Sequence, residues 1–255
     1  MSLNILLIVC TILMATAFSP EANAASANGP VEVPKYMAEE SAVDNFDEPN
    51  KDPLEKLNRV SHRFNRFVDR LVLRPAAKVY KTATPDIIQI AVSNFFANLN
   101  DVSNATNNLL QGKPKAGFSD MGRVIINTTA GVGGLIDPAS ALGLTKHNED
   151  FGQTLRKWGL PQGPYLVVPF LGPSTITDAL SGPVNTALYP VRYLYPIGHR
   201  NGLFAADAVI RRSDLLAAEA VVFGEEYLFY REAYLQRRAY LAKDGMVEDA
   251  FDDGF

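Results

Sequence analysis

Cysteine is almost missing: Cys10 is the only one, and it sits inside an N-terminal apolar run from Leu3 to Phe18. A bacterial lipid-acceptor cysteine follows a small residue near the end of such a run, whereas Val9 precedes this one and the run continues past it. Ala22-Asn23-Ala24 supplies the small-x-small pattern of a secretory cleavage site, although the first residues carry no Lys or Arg. Cleavage there removes Cys10, leaving an exported chain that must hold together without disulfides. Histidine is scarce as well, with three in 255 residues. His147-Asn148-Glu149-Asp150 offers metal-ligand types, but no second cluster completes a site, and a helix cap or solvated turn accounts for it better. Neither a metal nor a cofactor is expected.

Catalytic patterns fail in turn. Gly117-Phe118-Ser119-Asp120-Met121-Gly122 has one residue too many for a nucleophile elbow, so a hydrolase using Ser119 is a remote alternative. Gly131-Val132-Gly133-Gly134 lacks the spacing and the Lys-Ser/Thr of a phosphate loop. Tyr227, Arg231, Glu232, Tyr234 and Arg237 form a polar stripe with i,i+4 pairs, which reads as structural. The chain is not expected to be an enzyme.

Charge is missing where it would be most informative. From Trp158 to Val191 the only formal charge is Asp178. Such a stretch leaves water, yet Pro161, Pro164, Pro169 and Pro173 forbid a spanning helix. Two readings stay open: a buried loop with a short strand, Leu166 to Phe170, or an irregular hairpin at membrane depth. The second requires the backbone to be covered by protein or to line a watered cavity. Thirteen uncharged residues between Arg123 and Asp137 are too few to cross a bilayer but enough to lie within one leaflet.

What is present divides the chain. Residues 1–24 read as a signal peptide, 25–50 as a disordered acidic leader, 51–243 as a single helical domain, and 244–255 as an acidic tail. The net charge of −4 conceals 23 basic against 16 acidic residues in 51–243, so a core of +7 lies between acidic ends. In an envelope protein that favours phospholipid headgroups over nucleic acid.

Asp52-Pro53-Leu54-Glu55 opens a first helix. Its Leu54, Leu57, Phe64, Phe67, Val68 and Leu71 share a face expected to pack into the core. Its basic residues, Arg59, Arg63 and Arg66 among them, are expected to face water or anionic lipid. Thr84-Pro85-Asp86 opens a second helix to about Gln111, in which six asparagines recur, either lining a partly wet interior or exposed on a surface face. Further helices are expected over 115–130, 203–223 after Gly202, and 225–243 after Gly224. There is no internal repeat and no long alternating pattern. The class is mainly α with one irregular, apolar, Pro/Gly-rich hairpin.

Six stretches in order, DPLEKLNR (52–59), NNLLQGKP (107–114), INTTAGVGGLIDPA (126–139), EDFGQTLRKWGLPQGPYLVVPFLGPST (149–175), ALYP (187–190) and YREAYLQRRAYL (230–241), resemble the VacJ, or MlaA, family of outer-membrane lipid-asymmetry proteins. The resemblance covers Asp52 to Ala242. It implies a ring-like bundle of amphipathic helices in the periplasmic leaflet of a Gram-negative outer membrane. A channel through the ring would let mislocalised phospholipids leave the outer leaflet for a periplasmic lipid-carrier protein, with a porin trimer as a further partner. The residues it carries over are Gly159, Gly163, Pro164, Tyr165, Val168, Pro169, Phe170 and Gly172 in the hairpin, and Gly131, Gly133, Gly134, Leu135 and Asp137 in the glycine turn. The alternative is a soluble periplasmic lipid-binding or scaffold protein with its hairpin tucked inside. The family typically carries a lipidated N-terminal cysteine, a pattern that Cys10 does not match.

Mature protein should therefore begin at Ala25 without acyl chains. Intact mass spectrometry of protein taken from the native membrane checks this, and a diacylglyceryl adduct would refute it.

Overall fold

Asparagines on the first helix complete the edge of the hairpin. In the computed structural model, which describes residues 52–222 and 224–244, α1 (Glu55–Val68) lies against β1 (Tyr165–Val168). β1 pairs antiparallel with β2 (Gly172–Thr175), with Tyr165 opposite Thr175 and Val168 opposite Gly172. A two-stranded ribbon has free edges. On the α1 side, Asn58 accepts from Val167 N–H at 2.8 Å and donates to Tyr165 C=O at 3.0 Å. One step on, Asn65 accepts from Phe170 N–H at 2.7 Å and donates to Val168 C=O at 2.9 Å. Each amide thus behaves as a residue of a neighbouring strand would. The spacing fits, because seven residues of helix rise about 10.5 Å and three of strand about 10 Å. Two side chains thus cover the edge of the hairpin that faces α1.

α1 runs through a π-helical turn, Asp69–Leu73, into α2 (Arg74–Ala83). α3 (Asp86–Leu110) and α4 (Pro114–Thr129) form the most extensive helix pair and are joined through Gly112. A single turn, α5 (Pro138–Ala141), and α6 (Phe151–Lys157) precede the hairpin. α7 (Ile176–Leu188) follows it, then a 3-10 turn (Pro190–Tyr193), α8 (Ile197–Asp214), a second 3-10 turn (Ala217–Val221) and α9 (Glu226–Ala242). The mainly α class with one short hairpin is as expected. The signal peptide, the acidic leader and most of the acidic tail lie outside the described residues.

Several elements differ from expectation. α7 lies inside the stretch read as irregular: the Thr175 side chain caps it by accepting from Asp178 N–H, and Pro183 is carried within it. α8 begins at Ile197, so Gly202 is internal to it, and it ends at Asp214 rather than near 223. Thr84 closes α2 and makes no side-chain cap on α3.

The largest difference is the rotation of α1. Leu57, Val60, Phe64 and Phe67, with Leu71 beyond, face outwards, whereas Asn58 and Ser61 are buried. The expectation that the apolar face packs inwards is overturned, because the interior that α1 meets is polar. Among the described residues, the buried apolar side chains larger than alanine form two small clusters, Phe96, Tyr189, Val191 and Ile210 in one and Tyr165, Val167 and Tyr227 in the other. Among the described residues, buried polar and charged side chains outnumber buried apolar ones. No described helix is long and apolar enough to cross a membrane.

Asn58 also donates to Asp52 at 2.9 Å, so Asn58→Leu leaves several buried partners unpaired. At about 1–3 kcal/mol for each unsatisfied group, the change should cost several kcal/mol. Denaturant titration in detergent checks this; a loss below about 1 kcal/mol would show that the amide does not hold the edge.

Candidate functional site

The asparagines of α3 point inwards and organise a continuous hydrogen-bonded interior. Asn104 donates to His147 C=O at 2.7 Å and accepts from Glu149 N–H at 3.1 Å, fixing the segment before α6. Asn107 accepts from the Thr154 hydroxyl at 2.9 Å, and Asn108 donates to Asp120 at 2.9 Å. Gln111 reaches Glu149 at 2.8 Å and Thr154 at 3.2 Å. Of the two readings of this row, the inward-facing one fits, with protein groups as partners, and the exposed face does not.

Two buried arginines tie distant segments to this interior. Arg123, 2% exposed, lies 3.2 Å from Asp101 and 2.8 Å from Asp137, and donates to Ser140 and to Leu144 C=O at 2.9 Å. Burial alone would raise the Asp137 pKa, but hydrogen bonds from Ser140, Arg123 and Asn127 hold the carboxyl well below its usual range. Arg238 on α9 clasps Asp150 at 2.5 Å and also pairs with Asp178, the lone charge of the central stretch. Tyr234 and Thr175 donate to the other Asp178 oxygen at 2.6 and 2.8 Å. Asp150 caps α6 through Gln153 N–H at 2.9 Å; burial opposes its charged form, yet Arg238 lowers its pKa. A Cβ at Gly152 would collide with the Asp178 carboxylate and lie 2.9 Å from Arg238 Nη2.

Beside this clasp lies a cleft of about 380 Å3 bordered by α3, α7, α8, α9 and the segment entering α6. Amides and charges such as Asn100, Asn148, Asn185, Asp207, Arg211 and Arg237 line it, and Tyr189, Phe204 and Leu241 give it an apolar side.

The residues singled out from the sequence fall into three places. Gly159 follows α6, and Gly163 (φ +71°) and Pro164 lead into β1, where Tyr165 is buried and Val168 is the last residue. Pro169 and Phe170 form the hairpin turn, with Gly172 opening β2. Gly131, Gly133, Gly134, Leu135 and Asp137 form a turn after α4, held by Asn94 donating to Leu135 C=O at 3.3 Å and by Asn127 and Arg123 on Asp137. The hairpin rests on α1 and the glycine turn on α3 and α4, so different elements carry the two groups. In the third place, Arg59 pairs with Glu55 and Glu225, and Arg66 with Asp69 and Glu226, while Arg63 stays exposed. The hydrogen bonds that Arg59 donates to Glu225 and Glu55 raise its pKa. The basic face expected on lipid is therefore directed largely towards the start of α9. Reading by residue type missed Asn58, Asn65 and Arg238; the neutral Asn at i and i+7 beside a hairpin was the available signal for the first two.

Phe170 is the unusual member. Leu171 N–H bonds Val168 C=O at 3.2 Å, making a four-residue turn with Pro169 second and Phe170 third. Phe170 has φ +65° at a position that favours glycine in a type II turn. It is 71% exposed and Leu171 83%, and the Phe170 ring meets the exposed Phe64 edge-on at 4.9 Å. Phe170 thus combines a left-handed backbone with an aromatic ring displayed outwards. Phe67, Val60 and Leu57 extend this exposed patch along α1, and Phe118, Ile125, Val132 and Ile136 expose another on and after α4.

Catalytic geometry does not assemble around Ser119, whose hydroxyl donates to Thr145 C=O at 3.1 Å, while His147 Nδ1 lies 3.0 Å from Asp120. Among the described residues no group of His, Cys, Asp and Glu could hold a metal ion.

The family model described as MlaA lipoprotein matches residues 50–241. An intermembrane phospholipid transport system lipoprotein MlaA of Shigella flexneri is 32% identical over 203 residues, 77% of this chain and 80% of its own length. One of the same description from Haemophilus influenzae is 33% identical over 208 residues, 78% and 82% respectively. An uncharacterized protein of Rickettsia typhi is 39% identical over 143 residues, and the match spans only 57% of that protein's length and 56% of this chain. A solved structure from work on the structural basis for maintenance of bacterial outer membrane lipid asymmetry matches with a TM-score of 0.66 at 32% identity, covering 75% of this chain and 98% of its own.

Phe170→Gly should raise folding stability by about 1 kcal/mol, since it relieves a left-handed non-glycine residue while losing little buried area. The same change should weaken binding to phospholipid vesicles. Thermal melts and vesicle flotation check the pair; a destabilised variant with unchanged flotation would assign Phe170 to folding.

Proposed function

The chain belongs to the MlaA lipoprotein family, and from that premise we propose that it is a non-enzymatic passage for phospholipids in a Gram-negative outer membrane. It takes phospholipids mislocalised in the outer leaflet and hands them to a periplasmic lipid carrier, held in the periplasmic leaflet beside a porin trimer. One observation carries this reading: the packing is inverted, with apolar side chains outwards and hydrogen-bonded polar ones inwards. Exposed patches of this kind are costly in water and at home among acyl chains. The polar interior with its mixed cleft gives a headgroup somewhere to go, which neither a greasy plug nor a spanning helix would do.

The soluble alternative, a periplasmic lipid-binding or scaffold protein, needs the hairpin tucked inside. Phe170 and Leu171 are exposed, and the strand edge facing α1 is already occupied by Asn58 and Asn65. That favours the membrane.

Cells lacking the protein should accumulate outer-leaflet phospholipid accessible to externally added phospholipase, and restoring the gene should reverse the rise. In fractionation the protein should need detergent for release. Release by salt alone together with unchanged phospholipase access would support the soluble protein instead.

A further inference from the structure

From the charges of the cleft we infer that it binds the phosphodiester common to phospholipids, through Arg237 with Arg211 beside it, and is indifferent to the headgroup beyond. This rests on the phospholipid reading above. Three carboxylates line the cleft, and each already has a cation. Glu149 is held by Lys113 at 3.1 Å, Asp150 by Arg238 at 2.5 Å and Asp207 by Arg211 at 2.9 Å. Asp207 also receives the Tyr189 hydroxyl at 3.4 Å. No carboxylate is left over for a headgroup ammonium.

The positive side is not balanced in the same way. Arg237 is exposed and has no ion-pair partner among the described residues. Arg211 bonds Asp207 through Nε, and its side chain is 60% exposed, which leaves the outer edge of the guanidinium open. The surplus charge is therefore a guanidinium, the group whose fork matches the oxygens of a phosphate. The amide of Asn148 adds a neutral donor, while Tyr189 and Phe204, with ring centroids 5.9 Å apart, offer the glycerol and upper acyl carbons an apolar wall. Guanidinium groups with a neutral donor beside them select phosphate and ignore what is esterified to it.

The test uses the full chain in detergent micelles with four probes: dihexanoyl-phosphatidylethanolamine, dihexanoyl-phosphatidylglycerol, dihexanoylglycerol and inorganic phosphate. The wild type should bind the two phospholipids with similar affinity, and the other two far more weakly. Arg237→Gln should weaken both phospholipids about tenfold or more, as expected for one charge-assisted bond, and Arg237→Lys should restore part of the loss. Arg237 is exposed and unpaired, so neither change threatens the fold. Unchanged binding by Arg237→Gln overturns the site, as does a clear preference for one headgroup or equal binding of dihexanoylglycerol. Inorganic phosphate binding as tightly as the lipids would make this a free-phosphate site. If the wild type bound phosphate but neither phospholipid, the passage itself would fall while the anion site stood.

Discussion

The structure depends on one constraint: buried polar side chains outnumber buried apolar ones among the described residues, so the interior is held mainly by hydrogen bonds and ion pairs within the chain. In most soluble domains a core of Leu, Ile and Val does this work non-directionally. Here the asparagines of α3 do it with directed bonds, fixing the segment before α6 through Asn104, α6 through Asn107 and α4 through Asn108. Arg123 and Arg238 extend the same logic to charge, each paired with two carboxylates contributed by different segments. A buried ion group of this kind is weak evidence for net stability, but removing one partner strands the others. Such an interior is therefore specific rather than greasy.

From that constraint follows the hairpin. A short apolar ribbon with prolines cannot satisfy its own edges, and α1 supplies the missing partners through Asn58 and Asn65. Turning those amides inwards obliges Leu57, Val60, Phe64 and Phe67 to turn outwards, so the exterior of α1 is a consequence of how the hairpin is held. Phe170 then sits on Phe64 at the tip. One arrangement thus covers the backbone and creates an apolar surface.

Much of this was legible in residue types. The helix bounds at 86–110 and 114–129 were near those read from Thr84-Pro85-Asp86, Gly112 and Pro114, because caps and breakers act locally. The hairpin could be read from uncharged Leu166 to Phe170 flanked by proline and glycine. What failed was orientation. An amphipathic helix gives the same pattern whether its apolar stripe meets a core or a lipid, and only the partner decides, so the pattern alone puts Leu57 and Phe64 inside although both are exposed. α7 was missed because Pro183 and Gly182 mask a helix whose start is set by the Thr175 cap. The pairing of Asp178 with Arg238, sixty residues away, has no local signal at all.

Inverted packing is the central claim, and cysteine accessibility measures it most directly, since Cys10 is the only native thiol. Single cysteines would be placed at Phe67, Ile125 and Leu171 on the apolar exterior, and at Asn100 and Asn148 in the cleft. In intact outer membranes the first three should resist a membrane-impermeant thiol reagent supplied from the periplasmic side, and the last two should react. Rapid labelling of the exterior sites with protection of the cleft would contradict the account and place the apolar faces in water.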